Sequence, residues 1–189
     1  MAALTPQLVL RVAVLCVAVV VIQVAAVSQI VIFGASADLT PLVVAAVGLM
    51  CGSIAGALFG FCVGFFFDAA LVQTMGLTSF VCIVAGYGAG RLRELRDPQG
   101  VVVPMVVGAL ATAITTFGYG LMNFMLGINA PVSFLLLRMI LATIILNAII
   151  SIPVFGLVRR WLGPSLPEDP RRRRRRAYTT GGLSPLTRA

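Results

Sequence analysis

The chain lacks histidine and lysine altogether and has only six carboxylates. Histidine is the commonest acid or base at neutral pH, so its absence removes the usual proton-transfer group of an enzyme. The four cysteines have no C-x-x-C spacing and lie in or beside apolar blocks. Metal ligation and disulfide frameworks need other patterns, so we expect no metal, no cofactor and no catalytic set.

Charge of either sign is also scarce, since 11% of the residues are charged and 60% are hydrophobic, with a mean hydropathy of +1.07. Soluble domains are about a quarter charged. The apolar residues form six blocks, and about 20 helical residues cross a hydrocarbon layer of ~30 Å. We therefore predict an all-α, polytopic membrane protein with a bundle of six transmembrane helices over residues 1–162 and no soluble domain.

Turn residues and charges divide the apolar blocks. We read the first block as a retained helix with a possible extension to Phe33, because its apolar run is longer than the core of a signal peptide. The second helix is short, and tilting, extension into Gly52 or shielding by protein would each explain its length. The expected helices are Leu8–Val27, Pro41–Met50, Ser53–Val72, Met75–Gly90, Val101–Leu126 and Pro131–Val158, with a connector at 34–38 and a polar loop at 91–100.

The arginines indicate how the helices are oriented. Arginine-rich short loops stay in the cytoplasm, and arginines fall before the first helix core, in the loop at 91–100 and after the sixth helix. An even number of crossings is required to place these segments on one side. We therefore expect both termini in the cytoplasm, with Trp161 at the inner interface beside Arg159 and Arg160.

A row of glycines at four-residue spacing runs along the third predicted helix and ends at Asp68. Helices in lipid associate through close backbone approach, which small residues permit. One interpretation is that the row packs against the fourth helix of the same chain; the other is that part of it receives a helix from another protein. The glycines concerned are Gly52, Gly56, Gly60 and Gly64, with Gly86 and Gly90 as the candidate partner surface.

Two opposite charges lie inside the apolar blocks, Asp68 and Arg138. A lone charge near the bilayer centre costs about 2.5–3.5 kcal/mol. We expect Arg138 to pair with Asp68 or with Asp38; the alternative is that each charge reaches water independently. The other intramembrane polar side chains, which we expect to hydrogen-bond across helices, are Gln23, Asn123 and Asn147.

Residues 163–189 have a different composition, with prolines, a Gly-Gly pair and a run of arginines. They have no apolar periodicity, so we expect a disordered cytoplasmic tail. A tethered cationic tail meets anionic lipid before nucleic acid, and each arginine there gains about 1 kcal/mol; a topology signal alone is the alternative. The run is Arg171, Arg172, Arg173, Arg174, Arg175 and Arg176.

Three motifs follow one another in a fixed order: Gly60-Phe-Cys-Val-Gly64-Phe-Phe-Phe-Asp68, Gly76-Leu-Thr-Ser79 and Gly86-Tyr-Gly-Ala-Gly90-Arg91. In this order, over roughly residues 10–160, the chain resembles the rod shape-determining protein MreD family. The arginine run lies outside the resemblance.

The resemblance implies a non-enzymatic partner in the bacterial elongation machinery at the cytoplasmic membrane. It implies direct association with MreC and membership of the complex that includes MreB, RodA and its transpeptidase, with no nucleic acid. It also leads us to expect that the glycine face and the polar groups around Asp68 form a platform for the MreC helix. The competing class is a substrate-binding subunit of a vitamin-type transporter, and a channel or lipid-handling protein has no motif to support it.

Overall fold

The computed structural model of the 189-residue chain describes residues 6–25, 31–32, 35–72, 74–95, 102–127 and 134–165. Within these ranges, the fold consists of six α-helices with a short antiparallel hairpin and a terminal 3₁₀ turn. The helices are α1 (Pro6–Ala25), α2 (Leu39–Cys51), α3 (Ser53–Leu71), α4 (Leu77–Leu95), α5 (Val102–Met125) and α6 (Phe134–Leu162). By length and composition, four of the described helices are able to cross a membrane: α1, α3, α5 and the Arg138–Leu162 part of α6.

The segment between α1 and α2 forms a small hairpin instead of continuing the first helix. Strand β1 (Val31–Ile32) pairs with strand β2 (Ala35–Ser36) in antiparallel register. The expected helical extension to Phe33 is therefore wrong.

Helices α2 and α3 reverse direction over a single residue, Gly52. Its amide donates to the carbonyl of Gly48 at 2.9 Å, and its carbonyl accepts from the amide of Gly56 at 2.9 Å. Gly52 has φ 100° and ψ 177°, a conformation that only glycine adopts without strain. The reversal therefore leaves both helix ends hydrogen-bonded and inserts no loop between them.

Helix α2 is the central element of the bundle. Every residue from Thr40 to Met50 is buried, and α2 contributes to both buried apolar clusters, one shared with α1, α3 and α6 and the other with α4 and α5. Its 13 residues measure about 20 Å, less than the ~30 Å of a hydrocarbon layer. Of the three explanations for its short length, shielding by protein is the one that this burial supports.

Two helices extend further than the sequence predicted. Helix α4 continues through Arg91, Arg93 and Glu94 to Leu95, and α6 continues past Val158 to Leu162. The expected loop at 91–100 is thus helical over its first half. Arginine and glutamate are good helix formers, and cations near a helix C-terminus interact favourably with the helix dipole.

Candidate functional site

Helices α2, α3 and α4 meet along a line of glycines, the glycine seam. A methyl group added at either Gly48 or Gly56 would lie 2.5 Å from the carbonyl oxygen of Gly86, a separation that real side chains do not show. Gly60 and Gly64 face the backbone of α4 in the same way. The seam consists of Gly48, Gly56, Gly60 and Gly64 on α2 and α3, with Gly86 and Gly90 on α4.

The glycine row is therefore filled by the chain's own helices. Gly60 meets the backbone of Cys82, Gly64 meets that of Ser79, and Gly90 meets that of Ser53 across the seam. The alternative, in which part of the row receives a helix from another protein, is wrong because no room is left on this face. The glycine face of the predicted MreC platform is thus occupied by α4, and the part of that platform around Asp68 stays a prediction.

Two glycines have roles that the sequence analysis did not distinguish. Gly52 forms the turn and borders the seam: a methyl group on it would meet only the Glu94 side chain, at 3.7 Å, whereas its own carbonyl carbon faces Gly90. Gly48 belongs to the seam and was missed. The signal was present, because Gly48 continues the four-residue spacing of the row by one step toward the N-terminus.

Asp68, near the C-terminus of α3, caps the N-terminus of α4. Its side chain is fully buried, and its Oδ2 accepts hydrogen bonds from the amides of Gly76 at 2.9 Å and Thr78 at 3.2 Å. These amides lie at the start of α4, where the helix dipole favours negative charge. Asp68 Oδ1 and the hydroxyl of Ser79 are buried without a partner in the described ranges.

Arg138 does not form the predicted ion pair. The ion pair in the described part of the chain joins Arg91 to Glu94 at 3.4 Å, whereas Arg138 is exposed on α6. Asp68 Oδ2 accepts from backbone amides, and Asp38 Oδ1 accepts from the Gln23 amide group. The pairing fails because both carboxylates have nearer neutral donors.

A polar network surrounds the N-terminus of α2, and its members are Gln23, Asp38, Thr112 and Asn147. The Asn147 Oδ1 accepts from the Asp38 amide at 3.1 Å, and its Nδ2 donates to the Asp38 carbonyl at 3.2 Å and to Thr112 Oγ1 at 3.1 Å. Gln23 donates to Asp38 Oδ1 at 2.9 Å and accepts from the Leu39 amide at 2.8 Å.

The network joins four elements and satisfies non-helical backbone inside the bundle. Gln23 lies on α1, Thr112 on α5 and Asn147 on α6, and all three are buried. A peptide group in an apolar environment costs several kcal/mol, of order 4, when it is left unbonded. The side chains therefore allow α2 to begin within the protein.

Asn123 behaves differently from the other predicted polar residues. It is partly exposed, and its Nδ2 donates to the carbonyl of Tyr119 on its own helix at 3.0 Å. Within the described residues, Asn123 therefore shows no bond across helices. Bonding to the carbonyl four residues back is the local option open to a polar side chain within a helix.

Two charged side chains at the end of α4, Arg93 and Glu94, hydrogen-bond to the residues on either side of the turn between α2 and α3. We call these two side chains the α4 clasp. Arg93 Nη1 donates to the carbonyl of Met50. Glu94 Oε1 accepts from the hydroxyl of Ser53 at 2.6 Å and from its amide at 3.2 Å. A cation thus meets the C-terminus of α2 and an anion meets the N-terminus of α3, which suits both helix dipoles.

These contacts also affect the titration of Glu94. The hydrogen bonds from the hydroxyl and then the amide of Ser53 lower the pKa of the Glu94 carboxyl below its ordinary value. Both donors favour the ionised form. The sequence analysis placed Glu94 in a loop; Leu92 and Leu95, three residues apart, continue the helical pattern and were the available signal.

The start of α1 contacts the end of α6. Arg11 Nη1 donates to the carbonyl of Trp161 at 3.0 Å, and Trp161 Nε1 lies 3.5 Å from the carbonyl of Arg11. Arg159 and Arg160 are exposed in the same turn of α6. The arginine run 171–176 lies outside the described residues.

The polar groups of the bundle thus bind helix ends and backbone. In the ranges that the structure describes, no three histidine, cysteine, aspartate or glutamate side chains are grouped as a metal site. Fold and contacts define a multi-pass helical membrane protein whose described polar residues position its own helices.

The chain matches the family described as rod shape-determining protein MreD over residues 4–161. It belongs to that family, whose role is in determining rod shape. No curated protein and no solved structure matches the chain.

Proposed function

We propose that this chain is a non-enzymatic scaffold of the cell elongation complex in the bacterial cytoplasmic membrane. In this role it binds MreC directly and, through the same complex, works with MreB, RodA and its transpeptidase to organise peptidoglycan synthesis. The family match over residues 4–161 carries the proposal. The bundle adds support, because a core closed by backbone contacts suits a rigid support for other proteins.

The proposed topology has six crossings with both ends in the cytoplasm. Arg11 near the start of α1 contacts Trp161 near the end of α6, and Gln23 near the end of α1 bonds to the start of α2. The start of α1 and the ends of α2 and α6 therefore lie at one end of the bundle. The α4 clasp adds the end of α4 to the same group. The described arginines except Arg138 lie at this end, and such an excess is typical of the cytoplasmic side.

Cysteine labelling in intact cells tests the topology. Single cysteines in a cysteine-free chain, at position 72 after α3 and at position 163 after α6, provide one probe for each side. A membrane-impermeant maleimide should label position 72 in intact cells and position 163 only after lysis. Labelling of both in intact cells would contradict the three crossings that the proposed topology places between the two positions.

The surface that receives MreC has to lie outside the glycine seam, since the seam is filled. The exposed apolar positions of the outer helices are the candidates, and a photo-crosslinking scan can rank them. Suitable positions, each on a different helix and each exposed, are Val17, Phe61, Phe117 and Ile149; a buried position, Val63, is the matched control.

The scaffold proposal predicts a crosslink to MreC from one helix face, none from Val63, and co-purification of cell-wall synthases from native membranes. Recovery of ATPases without MreC would instead favour a transporter subunit. Failure to crosslink MreC from any face, together with no co-purification, would overturn the proposal.

A further inference from the structure

The described face of α1 carries an open apolar groove next to a group of arginines. The groove is shallow, because all of its lining residues belong to α1, and it has a volume of about 520 Å³. The lining residues are apolar: Ala13, Val14, Val17, Ala18 and Val21. From Ala13 to Val21 the helix rises about 12 Å. We call this surface the α1 groove.

Arg11 stands at the lower end of the α1 groove. It is three residues before Val14 and seven before Ala18, separations that place side chains on neighbouring parts of one helix face. Its guanidinium uses one N–H for the Trp161 carbonyl. A guanidinium has five donors, so four have no acceptor among the residues that the structure describes.

Two more arginines lie in the turn of α6 whose Trp161 contacts Arg11. They are Arg159 and Arg160, and both are exposed. The three arginines form the arginine patch. No described carboxylate lies within ion-pair distance of any of them, since the ion pair of the described ranges is Arg91–Glu94.

We propose that the arginine patch and the α1 groove together bind one anionic phospholipid, with the phosphate on the arginines and an acyl chain along the groove. The charge and the apolar surface match the two parts of such a molecule. Arginine binds phosphate oxygens in a bidentate way, and basic surfaces beside transmembrane helices attract anionic head groups. The exposed Trp161 indole suits the same interfacial depth.

The site is distinct from the arginine run at 171–176, and it goes beyond the scaffold role. Its test does not depend on MreC, so failure of the scaffold proposal and failure of this one are separable. The protein to use is the full chain, in which the arginine run is the same in every variant.

Native mass spectrometry of the detergent-purified chain can measure binding of phosphatidylglycerol and of phosphatidylcholine with identical acyl chains. The wild-type chain should prefer phosphatidylglycerol. Arg11→Gln should lower its affinity about fivefold, the value expected for one arginine near an anionic head group. Arg138→Gln is the matched control, because Arg138 is an exposed arginine at the other end of α6, and it should change little.

Further variants separate the phosphate contact from the fold. Arg11→Lys keeps the charge but not the bidentate contact, so it should keep only part of the preference. The pair Arg159→Gln and Arg160→Gln should lower the preference without removing any described hydrogen bond. Ala13→Leu with Ala18→Leu fills the groove and should weaken both lipids equally. Equal binding of the two lipids by the wild-type chain, or equal losses in Arg11→Gln and Arg138→Gln, would overturn the proposal.

Discussion

The two ends of α2 are held by different kinds of contact. Its C-terminal half lies on the glycine seam, where main chain meets main chain and a single methyl group has no room at Gly48. Its N-terminus lies in the polar network, where Asn147 and Gln23 hydrogen-bond to non-helical backbone. Lipid provides little hydrophobic force between helices, so a helix that ends inside the bundle needs both close contact and hydrogen-bond partners.

The difference teaches which kind of substitution each region tolerates. The seam depends on the absence of side chains, so any added atom displaces backbone. The network depends on donors and acceptors, so a substitution that keeps them keeps most of the stability. Four predictions, beginning with the largest effect, test the seam, the network and two further polar contacts, the Asp68 cap and the α4 clasp.

Gly60→Leu should destabilise the bundle the most, by about 3 kcal/mol or more, because a side chain there meets the carbonyl group of Cys82. Thermal unfolding in detergent, followed by size-exclusion chromatography, measures the loss. Gly88→Leu on α4 is the control, since a methyl group at Gly88 meets nothing within 4 Å. Equal melting of the two variants would contradict the seam.

Asp68→Leu should cost about 2 kcal/mol, because it leaves the amides of Gly76 and Thr78 without their buried acceptor. Asp68→Asn retains one carbonyl oxygen and should cost less. The same melting assay compares the two, and hydrogen exchange at the start of α4 reports the cap directly. If leucine and asparagine were equivalent, the cap would not be the reason for the buried carboxylate.

Asn147→Leu should cost about 1.8 kcal/mol, since bonds between membrane helices average ~0.6 kcal/mol each and three are lost. Asn123→Leu is the matched control, because Asn123 bonds only within its own helix in the described chain. Its melting temperature should stay close to that of the wild-type chain. A larger loss at Asn123 than at Asn147 would reverse the assignment.

Glu94→Gln should have the smallest effect on the stability of the bundle, and it should change how that stability depends on pH. The Glu94 pKa is lower in the folded chain than its ordinary value of 4.5. The stabilisation is therefore present above that pH and is lost as the pH falls through the lowered pKa. Melting curves from pH 7 downward should show an acid loss in the wild-type chain that the glutamine variant lacks in part. If melting temperature changed with pH in the same way in both chains, the α4 clasp would not contribute to stability as proposed.

Local spacing explains what could be predicted about the seam. Helices and their glycine row follow from patterns of four residues or fewer, and such patterns are visible in any stretch of the chain. The six helices were predicted with ends within a few residues, apart from α4 and α6. In the structure these two helices end later than predicted, because arginine residues were taken as a sign of a loop. Arginine is in fact a good helix former.

Contacts distant in sequence explain what could not be predicted. Asn147 bonds to Asp38 across 109 positions, and no local pattern indicates that pairing. The expected Arg138 pair failed for the same reason, because the sequence showed the charges but not the nearer amides of Gly76 and Thr78. The position of the polar network depends on where α2 begins, and this is set by the packing of the other helices.

The single-residue reversal at Gly52 has a consequence for how the molecule meets its surroundings. Where most helical hairpins offer a loop, this one offers a blunt corner whose amide and carbonyl are both in use. A protease has no extended loop to bind there, and an inserted tag would have to separate two packed helices. Recognition at this end of the bundle therefore has to use other segments of the chain.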